Sequence, residues 1–343
     1  MRRYFFRIFA VALLYLPVHF AVCLFLPAPI SAEYWVRELI VVKQILANAI
    51  RSPRVIFLGG SSTLFGIDAK EVAAETGLPT MNMGLHGGMR LGQMLSVGED
   101  VVRPGDVLVL SLEVHYYSCD RAAWNNWQVR NALAWDRSYF DSLSLGTRVK
   151  ALFDGGSPSL IIDILASKLG SIAGSKVIDS RLKALAPTEV IWARYSSGKL
   201  RTSDFAYSAY NIDDRGDMLE IDGANYSGSG APANEPGNIC SDPFFVLSSF
   251  VARMKKNDVR VFVANTPYLI EGTPTAGWQE AEERFLQDVR SAGAEVLGRR
   301  EELFFPRMYF FNTQYHLNDY GRRERTRILV SNLRGLGLGG PRL

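Results

Sequence analysis

Two serines follow an apolar stretch at a point where the chain is expected to turn. Residues 55–58 are all apolar, which is typical of a buried parallel strand. Gly59 and Gly60 come next and allow a tight turn, and Ser61 and Ser62 follow them. A serine beyond the carboxyl end of a strand lies where open α/β sheets bind their ligands. The stretch is therefore interpreted as a nucleophile turn, with an ordinary strand-to-helix loop as the alternative.

A reactive serine needs an imidazole to accept its proton. Outside the N-terminal apolar segment the chain has three histidines, at positions 86, 115 and 316. We expect His316 to be the base, because it lies in a polar loop before the last predicted helix. A structural role for this histidine is the alternative.

Metal and nucleotide chemistry are disfavoured by the spacing of the residues. The three histidines are far apart in the sequence, and Glu113 with His115 would supply only half of a metal site. The glycine-serine stretch has neither the dinucleotide fingerprint nor a phosphate-loop lysine. We therefore expect no cofactor and no metal.

Predicted strands alternate with helical stretches along most of the chain. The strands are expected at residues 55–58, 80–83, 107–112, 259–264 and 294–297. This alternation predicts an α/β fold, a three-layer sandwich with a five-stranded parallel sheet. The alternation stops between about residues 119 and 243. That segment is interpreted as a large insertion after the third strand, either a lid or a substrate platform.

The first thirty residues differ from the rest. Arg2, Arg3 and Arg7 precede residues 8–26, which carry no formal charge and are long enough to cross a bilayer core. Because these basic residues lie on the N-terminal side of the apolar segment, the chain after the segment is predicted to be exported. An uncleaved N-terminal transmembrane helix within residues 1–30 is favoured over a cleaved signal peptide, whose apolar region would be shorter. A connecting helix at residues 31–51 would lead into a domain at residues 52–343.

Charge and cysteine content add two expectations. The net charge of +3 and the lack of a long basic run disfavour nucleic acid as a partner. Cys119 and Cys240 would lie outside the cytoplasm, where a disulfide persists. A bridge between them would clamp the insertion, and two unpaired cysteines are the alternative.

Four short blocks make the chain resemble the SGNH (GDSL-like) hydrolase superfamily. More narrowly, it resembles the membrane-anchored bacterial branch that includes O-acyltransferases of envelope polysaccharide and exopolysaccharide. The blocks are Gly59-Gly60-Ser61-Ser62-Thr63, Asn82-Met83-Gly84, Ser111-Leu112-Glu113 and Tyr315-His316-Leu317-Asn318. The resemblance covers roughly residues 52–118 and 244–333.

The resemblance implies an SGNH/flavodoxin-like fold and a role for each matched residue. Ser61 would be the nucleophile, with Ser62 as the alternative, and His316 would be the base. The N–H group of Gly84 would help to form the oxyanion hole. Asn82 and Glu113 would have supporting roles.

The chain departs from the superfamily pattern at three places. Gly60 stands where the nucleophile block usually has Asp, and Glu113 ends a block that usually reads Gly-x-Asn-Asp. Asn312 stands where an Asp usually orients the histidine. An amide oxygen can hold the ring but cannot stabilise an imidazolium by charge. Asp319 and Glu113 are alternative acidic partners.

The implied activity is serine-dependent acyl transfer. It would be either O-acetyl transfer to a cell-envelope or exported polysaccharide, or ester hydrolysis on it. The expected location is the bacterial inner membrane, with a single span, a periplasmic domain and a neighbouring membrane-bound biosynthesis complex. The alternative is a non-catalytic scaffold or polysaccharide-binding subunit. In that case aromatic side chains of the insertion would stack on sugars: Trp124, Trp127, Trp135 and Trp192.

Overall fold

A computed structural model describes residues 15–174, 176, 185–223, 226–228, 238–269 and 276–338. Residues 15–25 are helical. The helices that follow are α1 Tyr34–Ala49, α2 Ser61–Gly66, α3 Ala69–Thr76, α4 Leu91–Glu99, α5 Asn126–Ala134, α6 Arg137–Ser142, α7 Leu145–Gly155, α8 Pro158–Ala173, α9 Thr188–Ser196, α10 Asp242–Lys256, α11 Ala276–Ser291 and α12 Asp319–Gly335. The strands are β1 Val55–Gly59, β2 Thr80–Gly84, β3 Val107–Leu110, β4 Arg260–Ala264, β5 Tyr268–Leu269, β6 Glu295–Leu297 and β7 Phe304–Phe305.

The central sheet is five-stranded and parallel, with the strand order β2-β1-β3-β4-β6. This confirms the predicted strands and their parallel arrangement. From β1 the chain moves to β2 on one side, and it then returns to β3 on the other side of β1. Such a switch point leaves a crevice outside the carboxyl ends of the two strands, where doubly wound sheets bind ligands.

Helices cover both faces of the sheet. Val55 and Phe57 of β1 point into a buried cluster that also contains Val72 of α3 and Leu329 of α12. The alternate side chains point to the other face, because successive residues of a strand alternate. There α4 packs so closely that a Cβ added at its Gly98 would lie 2.4 Å from Leu58 Cδ2. The architecture is therefore the predicted three-layer sandwich.

The chain divides into two compact units, and one of them was not predicted. It consists of residues 1–37 and 122–190. Cys23 and Leu24 of the N-terminal helical segment share a buried apolar cluster with Trp124, Val129 and Phe140. The N-terminal segment and the first part of the predicted insertion thus form one unit. Trp124 is a core residue, which is the more common role of a tryptophan, and it is not available to stack on sugars.

The predicted transmembrane helix lies only partly within the described structure. Residues 1–14 fall outside it, and residues 15–25 form the helix noted above. In the described part of the chain, no helix combines the length and the apolar character needed to cross a bilayer.

The other unit, residues 38–121 and 191–343, contains the central sheet. Cys119 and Cys240 form a disulfide, which is one of the two alternatives that the sequence left open. Next to it, Ser118 and Ile239 form an antiparallel bridge, and Cys119 N–H donates to Asn238 O at 2.7 Å. Both ends of the predicted insertion are therefore fixed at one place. A small parallel pair, β5 with β7, lies outside the predicted strands.

Candidate functional site

The turn after β1 gives the two serines different exposure to solvent. A Cβ added at Gly59 would lie 2.2 Å from the carbonyl oxygen of Ser111, so only glycine allows this close approach of β1 to the chain after β3. α2 begins immediately afterwards, at Ser61. Ser61 is half-buried, whereas Ser62 is fully buried and its Oγ has no hydrogen-bond partner among the described residues. Ser61 is therefore the more accessible of the two hydroxyls.

Three buried contacts hold this turn. Ser62 N–H donates to Glu113 Oε1 at 2.8 Å. Arg325 of α12 donates from Nη1 to the Ser62 carbonyl oxygen at 2.7 Å, and Thr63 Oγ1 donates to the Ser111 carbonyl oxygen at 2.7 Å. The carboxyl ends of β1 and β3 and Arg325 of α12 thus fix the backbone around Ser61.

Gly84 does not have the free N–H group expected of an oxyanion donor. Its N–H donates to Asn82 Oδ1 at 2.8 Å, and its carbonyl oxygen accepts from Lys43 Nζ at 2.7 Å. A Cβ added at Gly84 would lie 2.1 Å from Leu64 N, so glycine is needed here to let α2 pack against β2. The expected oxyanion role of Gly84 is therefore replaced by a packing role.

Gly87, three residues later, lies next to Ser61. A Cβ added at Gly87 would lie 3.5 Å from Ser61 Oγ and 3.9 Å from Ser61 N. Its carbonyl oxygen accepts from Arg121 Nη1 at 2.9 Å. Its N–H donates to no other described residue. Gly87 thus borders the Ser61 hydroxyl with a backbone donor available.

His316 is held by a neutral pair. Asn312 Oδ1 lies 2.8 Å from His316 Nδ1, while Asn312 Nδ2 donates to the Tyr207 hydroxyl at 3.1 Å. The Tyr207 hydroxyl also lies 3.4 Å from His316 Nδ1. Because Asn312 presents its carbonyl oxygen, Nδ1 carries the proton and Nε2 keeps the lone pair that a base requires. Asn312 thus lies where the sequence predicts an orienting residue.

Phe65 connects the imidazole to the serine helix. Its ring stacks on that of His316, with centroids 4.0 Å apart and an interplanar angle of 2°. Phe65 follows Ser61 by four residues on α2, and residues four apart lie on one face of a helix. The imidazole therefore lies against the helix face that carries Ser61. No hydrogen bond joins the Ser61 hydroxyl to His316 in the described structure.

The surroundings of His316 keep its ring neutral. Burial is the main cause that lowers its pKa to about 3, and the nearby His86 lowers it further. His86 lies in the same loop as Gly87, and its Nδ1 accepts from Gly88 N–H at 3.0 Å. At neutral pH, His316 can therefore accept a proton but is a weak base.

The two alternative acidic partners do not contact His316. Asp319 pairs with Arg322 at 2.6 Å and with Arg323. Glu113 accepts from Ser62 N–H instead. Asn312 and Tyr207 are therefore the polar groups on Nδ1 of His316.

Asn82 belongs to a buried network under the carboxyl end of β2. Lys43 of α1 is fully buried and donates to the carbonyl oxygens of Asn82 and Gly84 at 2.9 and 2.7 Å. Asn82 Nδ2 donates to Asp217 Oδ1 at 2.9 Å, and Asp217 Oδ2 accepts from Ala69 N–H at 2.8 Å. Burial lowers the pKa of Lys43 and raises that of Asp217. The network fixes the start of the loop that carries His86 and Gly87.

Sequence reasoning missed several residues of this site. Gly87 follows the second predicted strand in the glycine-rich stretch Gly84-Leu85-His86-Gly87-Gly88, and that position after a strand was the available signal. Tyr207 and Asp217 come from the irregular half of the insertion, where no pattern marks them. Lys43 lies on a helix interpreted only as a connector. In the described structure, no group of three His, Cys, Asp or Glu side chains could hold a metal ion.

Comparisons with known proteins add no relative. No protein-family model matches the chain, and no curated protein matches it significantly. The functional assignment therefore depends on the geometry around Ser61 and on the four sequence blocks.

Proposed function

We propose that this protein is a serine-dependent acyltransferase or esterase of the SGNH type. It would act on a cell-envelope or exported polysaccharide, either by O-acetyl transfer to the polysaccharide or by hydrolysis of an ester on it. The observation that carries the proposal is the meeting of three groups at the β1/β3 switch point: the accessible Ser61 hydroxyl, the backbone of Gly87 beside it, and the His316 ring stacked over α2.

These groups suffice for an acyl-enzyme reaction. Ser61 Oγ attacks the ester carbonyl while His316 Nε2 takes its proton. The oxyanion accepts hydrogen bonds from the N–H groups of Ser61 and Gly87, and its collapse expels the alcohol, which takes the proton from His316. A water or a sugar hydroxyl then attacks the acyl-serine, with His316 again as base and then acid. The sugar hydroxyl gives transfer and water gives hydrolysis.

One observation favours a second candidate, a non-catalytic scaffold or polysaccharide-binding subunit. His316 has a neutral partner and a pKa of about 3. A base is most effective when its pKa lies near the working pH. A scaffold of the same fold would keep the Ser61 turn without needing a strong base.

Turnover of a chromogenic acetyl ester by the full chain in detergent distinguishes the two candidates. Ser61→Ala and His316→Ala are compared with the wild type, and Ser62→Ala is the matched control. We expect the first two variants to lose turnover. A fluorophosphonate should modify the wild type at Ser61, as located by mass spectrometry. Equal rates in all four proteins would support the scaffold.

The membrane location is part of the proposal, and the unit of residues 1–37 and 122–190 supports it. That unit contains the described end of the N-terminal apolar segment. Its helix α8 also exposes a stripe of large aliphatic side chains at helical spacing: Ile162, Leu165, Leu169 and Ile172. A membrane-attached protein would tolerate such a stripe next to lipid. Retention of the full chain in the membrane pellet after alkaline carbonate washing is expected, and its release would contradict the location.

A further inference from the structure

Two departures from the superfamily pattern touch each other in this protein. A Cβ added at Gly60 would lie 2.5 Å from Glu113 Oε2 and 2.7 Å from Oε1. Real Cβ atoms do not approach other atoms so closely. Gly60 has φ −81° and ψ −153°, angles that any residue adopts. The Glu113 carboxyl group therefore occupies the space of a side chain at position 60, and it would have to move if that residue carried a Cβ.

The Glu113 carboxyl group contacts the turn on both sides of Ser61. Oε1 accepts from Ser62 N–H at 2.8 Å, and Oε2 lies against Gly60. The same Oε1 would lie 3.9 Å from a Cβ at Gly87. One side chain thus borders the residues before and after Ser61 and the loop that faces its hydroxyl.

The environment of Glu113 favours its neutral form. The side chain is 1% exposed, and Oε2 has no hydrogen-bond partner among the described residues. Burial raises the pKa of Glu113, while the Ser62 N–H and the charges of Arg325 and Arg121 act in the opposite direction. Arg325 directs its Nη donors to Ser62 O and Ser111 Oγ and not to the carboxyl group. A buried carboxylate oxygen without a donor is costly.

We infer that Glu113 is the positioning residue that fixes Ser61 at the mouth of the crevice, and that Gly60 is its steric partner. The inference rests on the proposed function, because it assigns Glu113 a role in the reactivity of Ser61. The Glu113 side chain is long enough to bring a hydrogen-bond acceptor to the turn, and its negative charge is not required. The two departures then compensate for each other: the Glu113 carboxyl group occupies the space that the missing side chain at Gly60 leaves.

Two conservative variants separate the effect of side-chain length from the effect of charge. Glu113→Gln keeps the length and an oxygen for Ser62 N–H, whereas Glu113→Asp keeps the charge and is one methylene shorter. We expect Glu113→Gln to retain ester turnover within about threefold, and Glu113→Asp to lose about 10²-fold in kcat, because small misplacements of reacting groups have effects of that size. Retained activity in Glu113→Asp with loss in Glu113→Gln would overturn the inference.

A double-mutant cycle tests the steric pairing. Gly60→Ala alone should lose about 10²-fold in kcat and in the rate of fluorophosphonate labelling at Ser61. In a Glu113→Ala background the same change should have no further effect, because the space is free. Thermal unfolding of each variant separates misplacement of Ser61 from loss of the fold. Additive effects of the two substitutions would overturn the inference.

The outcomes also separate this inference from the proposed function. A wild type with neither turnover nor labelling at Ser61 contradicts both. An active wild type with additive substitutions contradicts only the role of Glu113. An active wild type with the non-additive pattern supports both.

Discussion

Asn312 holds His316 through an amide oxygen, with 2.8 Å between Asn312 Oδ1 and His316 Nδ1. The hydroxyl of Tyr207 fixes the amide by accepting from its Nδ2. This arrangement favours the tautomer with the proton on Nδ1, which the proposed reaction requires. It provides no negative charge for an imidazolium, so the orientation of the ring and the stabilisation of its charge are separated in this protein.

Asn312→Asp should therefore increase ester turnover. The added carboxylate stabilises the imidazolium and raises the pKa of His316, so the ring becomes a stronger base. In a serine protease the reverse change lowers kcat by about 10⁴, and we expect a gain of about tenfold or more here. The pH dependence of kcat/KM and the NMR titration of the His316 ring protons measure the two effects.

Asn312→Leu is the matched control for this gain. It removes the hydrogen bonds to both His316 and Tyr207 at similar volume, so turnover should fall below that of the wild type. Tyr207→Phe removes only the outer hydroxyl and should have a smaller effect. A slower Asn312→Asp enzyme with an unchanged His316 pKa would contradict the role given to Asn312.

Most of the sheet was predictable because its central strands are buried on both faces. Such strands contain unbroken apolar runs, as residues 55–58, 107–110 and 261–264 do, and all five predicted strands are strands of the central sheet. Ser61 and His316 were recognisable for a related reason: each lies next to a regular element. The pattern that identifies each of them consists of a few adjacent residues.

Contacts between distant residues were not predictable in this way. Tyr207 reaches His316 across 109 residues, and Asp217 reaches Asn82 across 135. Both come from irregular chain, whose path no periodicity encodes. The pairing of the N-terminal segment with residues 122–190 is equally non-local. An apolar pattern indicates that a segment is buried, but it does not identify the segment against which it packs.

Gly84 and Gly87 should respond differently to alanine. In Gly84→Ala the new Cβ meets Leu64 N at 2.1 Å, so the fold should lose several kcal/mol of stability. In Gly87→Ala the new Cβ lies 3.5 Å from Ser61 Oγ, an ordinary contact, so the fold should persist while turnover falls. Urea unfolding and ester turnover measure the two quantities. A folded, fully active Gly84→Ala protein would contradict its packing role.

The stability of the protein should depend on pH through His316. Its folded pKa of about 3 lies below the ordinary value of 6.5, so the unfolded chain binds more protons between these values. The contribution is fully present above about pH 6.5 and is lost as the pH falls towards 3. The slope for this group is about 1.4 kcal/mol per pH unit.

His316→Gln isolates this contribution. The free energy of unfolding of the variant should be less sensitive to pH between 6.5 and 4 than that of the wild type. His115, whose pKa burial also lowers to about 3, remains in both proteins and cancels in the difference. Identical slopes in the two proteins would show that His316 is not buried in its neutral form.

Lys43 should be a strong determinant of stability although it lies outside the reacting groups. It is fully buried and donates to two carbonyl oxygens at the end of β2, near the buried Asp217. Lys43→Met keeps most of the volume but leaves these two buried carbonyl oxygens without the Lys43 donor. We expect a loss of about 1–3 kcal/mol for each acceptor, because a buried hydrogen-bonding group that loses its partner has a cost of that size.

Lys70→Met is the matched control for this prediction. Lys70 pairs with Asp213 and Asp214, but its side chain is 57% exposed, so its removal should cost less than about 1 kcal/mol. Because the Lys43 network supports the loop with His86 and Gly87, Lys43→Met should also lower turnover at temperatures where the protein stays folded. Equal unfolding midpoints for the two lysine variants would show that the buried network does not stabilise this end of the sheet.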